Sequence, residues 1–192
     1  MTKILVALLL VVILLSGACI YSAYALTQVK QENQTFKTLL GLSFGWGTEK
    51  QEADDYYDLA TLSYERSDYN NAELNCKLAR AKYSAYTQLL KEEKVKLADE
   101  SGKVFELYDG MLRESITLNE NLYEACEWLE TASRHYAYYY QKTTPYDDPS
   151  FEQGDAAIDE SNKKIDAHDD AVKKYNSLLA EYNLELNKLL DK

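Results

Sequence analysis

Apolar residues recur at alternating spacings of three and four along three stretches of the chain. In the first stretch they are interrupted only at Glu93, and they are Ala72, Cys76, Ala79, Tyr83, Tyr86, Leu90 and Leu97. The same spacing runs from Val104 to Tyr139 and from Ile158 to Leu189. A sustained period of 3.5 is typical of helices that pack side by side in a bundle or coiled coil. The pattern therefore predicts three long helices, preceded by a shorter one over residues 51–66.

Turn signals divide these stretches. Ser67 and Asp68 before Tyr69 form a helix N-cap signal, and the two prolines within residues 143–149 cannot continue a helix. Gly102 alone would cost only about 1 kcal/mol inside a helix, but an unbroken helix over residues 68–141 would be about 110 Å long, so we expect a turn there. The predicted fold is all-α: an elongated antiparallel helical bundle with heptad, coiled-coil-like packing, behind an N-terminal apolar helix.

The amino end has the pattern of an export signal. No charged residue occurs from Ile4 to Leu26, and the run to Leu15 is apolar throughout behind Lys3. Three fates remain open. The segment is long enough to stay as a membrane anchor, which needs about 20 residues; Ala23-Tyr24-Ala25 offers a cleavage site; and Ser16-Gly17-Ala18-Cys19 resembles a lipoprotein box that would lipidate Cys19.

The anchor is the favoured fate. The stretch from Ser16 to Ala25 is long for the region that precedes a cleavage site, and Ser16 stands where a lipoprotein box usually has a branched aliphatic residue. All three fates place the remainder outside the cytoplasm, at the cell membrane if the segment is retained or lipidated and secreted if it is cleaved. The expected organisation is a signal anchor or signal peptide over 1–26, a linker over 27–47 and a helical bundle domain over 48–192.

The net charge and the absence of catalytic motifs disfavour several classes of function. The 192-residue chain carries a net charge of -11, which disfavours nucleic-acid binding. Neither a nucleophile elbow nor a phosphate-binding loop occurs. His168 lies among Asp166, Asp169 and Asp170, but these carboxylates fall on different helical faces and His168 occupies a heptad position. We therefore expect no metal, no cofactor and no enzymatic activity.

Tyrosine is over-represented, with 17 residues against four phenylalanines and two tryptophans. Many tyrosines occupy heptad positions and are expected in the core. The run of residues 136–140 places rings all round one helix, so some of them face outward. Either the loop and the helix end simply pack together, which is favoured, or Tyr138, Tyr140, Tyr146 and Phe151 form a binding surface.

Residues 54–83 resemble one tetratricopeptide-repeat hairpin. The resemblance rests on Tyr56, Leu59 and Ala60, on the turn Ser67-Asp68-Tyr69, and on Ala72 and Ala79. Ser67 replaces the turn glycine of that family, and Cys76 replaces its usual aromatic residue. The motif occurs once, and no family is recognised for the whole chain. The resemblance implies a tight antiparallel hairpin and, in that family, protein binding.

Cys76 and Cys126 lie equally far in sequence from Ser101. Antiparallel helices joined there would bring them to the same height, where a disulfide is one outcome and two buried free thiols are the favoured one.

The function expected from these observations is a membrane-associated, exported, non-catalytic interaction or structural subunit that binds a protein partner. The alternative is an extracytoplasmic sensory or small-ligand-binding helical bundle. Self-association is left open.

Overall fold

The computed structural model describes residues 47–97, 100–141 and 148–190. These residues form four helices and no strand: α1 (Gly47–Glu65), α2 (Tyr69–Lys96), α3 (Lys103–Gln141) and α4 (Ser150–Leu190). The all-α bundle predicted from the heptads is confirmed. The helices belong to one compact unit, Trp46–Lys192. The apolar helix expected at the amino end lies outside the described residues, within which no helix is long and apolar enough to cross a bilayer.

The α1–α2 turn is short and closed by backbone hydrogen bonds. The Ser67 amide donates to the Tyr64 carbonyl at 2.9 Å, and the Asp68 amide donates to the Ser63 carbonyl at 2.9 Å. Ser67 has φ +60°, a left-handed conformation usually left to glycine. The Asp68 carboxylate accepts from the Asn71 amide at 3.4 Å, which confirms the predicted N-cap.

The other two breaks also fall where the sequence places them. Gly102 has φ +118°, which few L side chains can adopt, and α3 begins at the next residue. The third break separates Gln141 from Ser150, although residues 142–147 are not described. At the start of α4 the Asp148 carboxylate accepts from the Ser150 amide at 2.9 Å and from its hydroxyl at 2.6 Å.

Each helix packs mainly against its neighbours in sequence. α1 packs on α2, α2 on α3 and α3 on α4, whereas α1 touches α3 in few places. One hydrophobic cluster joins the first three helices, and its buried members are Ala53, Ala60, Cys76, Ala79, Tyr83, Leu122, Cys126 and Leu129. Small side chains at Ala53, Ala60 and Ala79 allow α1 to lie close to α2.

Buried tyrosines supply much of the core, and their hydroxyl groups stay protonated. The Tyr83 hydroxyl donates to the Asp54 carboxylate at 2.9 Å. Burial raises the pKa of Tyr86 to about 12. Burial likewise raises the pKa of Tyr57, Tyr83 and Tyr108 above the ordinary value for a phenol. These residues therefore serve the fold as neutral groups.

The α3–α4 interface includes two close approaches at glycine. A Cβ built on Gly110 would lie 3.3 Å from a Leu178 methyl group, and one built on Gly154 would lie 2.9 Å from the ring of Tyr136. Lys164 of α4 pairs with Glu124 of α3 at 2.5 Å. Because α3 is its main neighbour, α4 leaves most of its heptad side chains half-buried.

Candidate interaction surface

Six aromatic rings meet where one end of each helix comes together. The α1–α2 turn and the α3–α4 break lie at the same end of the unit, which brings together Tyr64, Tyr69, Tyr136, Tyr139, Tyr140 and Phe151. We call these six residues the tyrosine cluster. Every helix contributes at least one of its rings.

Tyr69 and Tyr136 each contact three other rings of the cluster. The Tyr69 ring stacks on Tyr136, with centroids 5.4 Å apart, and on Tyr140, with centroids 5.8 Å apart and planes within 6° of parallel. Tyr64 meets Tyr69 edge-on at 5.7 Å, and Phe151 meets Tyr136 edge-on at 5.4 Å. Aromatic pairs of this geometry contribute about 0.5–1.5 kcal/mol each beyond their burial. The cluster therefore holds the four helix ends together.

Tyr136 is the buried member of this group. Its hydroxyl donates to the Asp155 carboxylate, and its ring lies directly against Gly154. Burial, with the hydrogen bonds to Asp155 and Tyr64, raises the pKa of Tyr136 well above its usual range. Tyr136 is thus a neutral hydrogen-bond donor that joins α3 to α4.

The predicted surface residues fall on two sides of α3. Tyr140 is 61% exposed and Phe151 is 38% exposed, and both belong to the tyrosine cluster. Tyr138 is 53% exposed. Because neighbours two apart on a helix point to different faces, it instead lines a neighbouring groove of about 450 Å³, with Thr131, Arg134, His135, Ser150 and Gln153. Tyr146 lies outside the described residues.

The structure shows ring packing at this end of the bundle together with exposed ring surface. Tyr140 packs one face against Tyr69 while more than half of its surface remains accessible. Whether these rings bind a partner stays a prediction.

An ionic network between α2 and α3 was not predicted from the sequence. The Arg80 guanidinium donates to Glu130 at 2.8 Å, to the Tyr123 hydroxyl at 2.9 Å and to Glu127 at 3.1 Å. Its central carbon lies 4.7 Å from the centroid of the Tyr123 ring. Glu130 is buried, so this pairing compensates a carboxylate that has lost its water.

An acidic groove of about 450 Å³ lies beside that network, between α3 and α4. Its lining includes the exposed indole of Trp128 among four glutamates and one lysine: Glu120, Tyr123, Glu124, Glu127, Trp128, Glu160 and Lys164. Lys164 already pairs with Glu124. The carboxylates therefore outnumber the cation in a partly aromatic setting.

Cys76 and Cys126 are free thiols in the structure, both buried in the same hydrophobic cluster. Burial raises the pKa of Cys76 to about 12. Burial, with Cys76 nearby, raises the pKa of Cys126 even further above its usual range. A protonated thiol is a poor nucleophile and a poor metal ligand at neutral pH. Cys19 lies outside the described residues.

The acidic segment around His168 forms local pairs. The His168 ring Nδ1 lies 3.3 Å from Asp169, and Asp170 pairs with Lys173 at 2.8 Å. Across residues 47–97, 100–141 and 148–190, no group of three or more His, Cys, Asp or Glu side chains is placed to share a metal ion.

Comparison of the chain with protein-family models, curated proteins and solved structures gives no match. The likeness of residues 54–83 to a tetratricopeptide-repeat hairpin therefore stays a prediction.

Proposed function

We propose that this chain is an exported, membrane-associated, non-catalytic subunit that binds a protein partner through the tyrosine cluster and the adjoining Tyr138. The observation that carries the proposal is the exposure of two tyrosine rings, 53% at Tyr138 and 61% at Tyr140, at the end of a packed helix. Tyrosine is enriched at the centres of protein interfaces, because its ring buries much apolar surface while its hydroxyl forms a hydrogen bond.

Rigidity supports the proposal. Tyr140 is stacked on Tyr69 and meets Tyr139 edge-on at 5.2 Å, so its ring is held before any partner arrives. A side chain that is already ordered loses little conformational entropy on binding. The same rings that close the bundle are thus suited to recognition.

Two further observations support export to the membrane and a non-catalytic role. The uncharged run from Ile4 to Leu26 favours export and membrane attachment. The thiols of Cys76 and Cys126 are buried and protonated, which favours a structural role over a nucleophilic one.

Co-purification from solubilised native membranes tests the partner. The full chain and the exposed control Val95→Ser should retain a stoichiometric protein, and Tyr138→Ser combined with Tyr140→Ser should lose it. Val95 is 74% exposed and lies at the far end of α2. If the double variant still retains the protein, the partner does not bind through Tyr138 and Tyr140. A small molecule retained in place of a protein would favour the sensory bundle.

Protease added to spheroplasts tests the location. The helical unit Trp46–Lys192 should be degraded while a cytosolic marker stays intact. Complete protection of both would contradict export.

A further inference from the structure

The groove beside Tyr138 is lined without any carboxylate among the described residues, although the chain carries a net charge of -11. Its lining consists of four residues from one face of α3 and two from the first turn of α4: Thr131, Arg134, His135, Tyr138, Ser150 and Gln153. We call it the Arg134 groove. Two other grooves of the described residues differ, because four glutamates line the one beside Trp128 and Glu120 also lines the third.

Arg134 supplies the positive charge of this groove. Its side chain is 55% exposed, and its Nη2 atom lies 3.7 Å from Glu130 and 3.5 Å from the Thr131 hydroxyl. A hydrogen bond between a guanidinium and a carboxylate is normally about 2.7–2.9 Å long. Glu130 has such a bond to Arg80, at 2.8 Å, through its other oxygen. The guanidinium of Arg134 can therefore still bind a second carboxylate through two parallel hydrogen bonds.

Other lining residues add hydrogen-bond donors. Gln153 carries a side-chain amide at the exposed start of α4, and the His135 ring is half-buried next to Arg134 in the chain. Asp148 precedes α4 and accepts from the amide and the hydroxyl of Ser150, so this carboxylate caps the helix. The groove thus presents donors and one fixed positive charge to a ligand.

The size of the groove suits a short peptide segment better than a lone anion. Its volume of about 450 Å³ lies within the usual range for ligand sites. From Thr131 to Tyr138 the lining extends about 10 Å along α3. That length corresponds to about three residues of extended chain.

We propose that the Arg134 groove binds an acidic segment of the protein partner, about three residues long, with one carboxylate held by Arg134. This inference rests on the proposed function, because it names the chemistry of the partner that the exposed Tyr138 meets. The glutamates of the other two grooves repel the same segment, so charge directs it to this groove. A bilayer with many negative charges is instead repelled by the chain as a whole.

The two histidines of the chain provide a direct readout. His135 lines the groove, whereas His168 lies about 27 Å along α4 from Ser150. The full chain is purified in detergent micelles and labelled with carbon-13 on histidine alone. Acetyl-Glu-Glu-Glu-amide should shift the ring signals of His135 and leave those of His168 unchanged. We expect a dissociation constant of about 1 mM, because the short probe is flexible and loses conformational entropy on binding.

Matched variants test the charge of the groove. Arg134→Gln should weaken binding of this peptide at least tenfold. Arg113→Gln should leave it unchanged, because Arg113 is an exposed arginine of the same helix that pairs with Asp109. Gln153→Glu should also weaken binding at least tenfold, since it adds a carboxylate to the groove at a helix start, where an acidic residue is tolerated. Circular dichroism should show unchanged helicity in all three variants.

Three results of the titration would overturn the inference. They are no shift at His135, an equal shift with acetyl-Gln-Gln-Gln-amide, and an equal effect of Arg134→Gln and Arg113→Gln. The same shift with inorganic phosphate at equal concentration would replace the acidic segment with a simple anion site.

Co-purification from native membranes separates this inference from the proposed function. Arg134→Gln and Gln153→Glu should each reduce the retained protein at least tenfold. If both retain the partner that Tyr138→Ser with Tyr140→Ser loses, the acidic segment is refuted and the proposed function stands. If the double tyrosine variant retains the partner, the proposed function fails, whatever the peptide titration gives.

Discussion

Two glycines at the α3–α4 interface respond in opposite ways to the same substitution. Gly110 and Gly154 both lie inside helices, where alanine is favoured over glycine by about 1 kcal/mol. The added methyl group meets different neighbours. At Gly110 it would lie 3.3 Å from a terminal methyl of Leu178, and at Gly154 it would lie 2.9 Å from two ring carbons of Tyr136.

The ring of Tyr136 cannot move aside as a leucine methyl can. The Tyr136 ring is stacked on Tyr69 and meets Tyr64 and Phe151 edge-on, and its hydroxyl donates to Asp155. Overpacking of this kind costs about 1–3 kcal/mol. After the gain in helix propensity, Gly154→Ala should lower the free energy of unfolding by about 1 kcal/mol. Gly110→Ala should raise it by up to about 1 kcal/mol.

Thermal unfolding of the unit Trp46–Lys192, followed by circular dichroism, measures the difference. About 2 kcal/mol between the variants corresponds to about 4–8 °C in Tm for a domain of this size. In a Tyr136→Leu background the cost of Gly154→Ala should disappear. If Gly154→Ala is as stable as Gly110→Ala, α4 does not pack closely on Tyr136.

Three further predictions concern the buried polar groups. Arg80→Met should destabilise the unit by about 2–3 kcal/mol in urea unfolding, because it leaves the buried carboxylate of Glu130 without its main partner; a change under 0.5 kcal/mol would argue against the network. Cys76 and Cys126 should resist alkylation at pH 8 in the folded unit and both react after denaturation without reductant, as intact mass would record; rapid native labelling would contradict their burial. The pKa of Tyr86 is raised to about 12, so the folded state keeps its phenol proton above pH 10 while the unfolded chain releases it. Stability should therefore be full below pH 10 and fall between pH 10 and 12, with loss of helicity and a cooperative rise in absorbance at 295 nm; intact helicity at pH 12 would refute this.

The sequence located the core best where a helix lies between two others. Every heptad position from Ala72 in α2 to Leu97 at its C-cap is buried, including the unexpected Glu93. The same spacing in α4 marks side chains that are mostly half-buried, such as Val172 and Tyr182. Heptad spacing identifies which face of a helix turns inward, but not how many helices cover that face.

Two contacts that depend on the register of the helices were not predicted from the sequence. Arg80 follows the heptad residue Ala79, so the sequence alone suggests a solvated charge. In the structure the turn at Gly102 brings Glu130 beside it. Gly154 looks like an ordinary helical glycine in the sequence, but in the structure it lies against the ring of Tyr136. Such pairs depend on the height of one helix against another, which the turn geometry sets.

Photo-cross-linking at the exposed tyrosines tests the central claim most directly. Benzoylphenylalanine in place of Tyr140, in the full chain in its native membrane, should capture one protein in high yield, and the same group at Tyr138 should capture that same protein. At Val95, which is 74% exposed, it should not. Adducts of equal yield and identity at all three positions, or none at Tyr138 and Tyr140, would contradict a partner-binding surface at this end of the bundle.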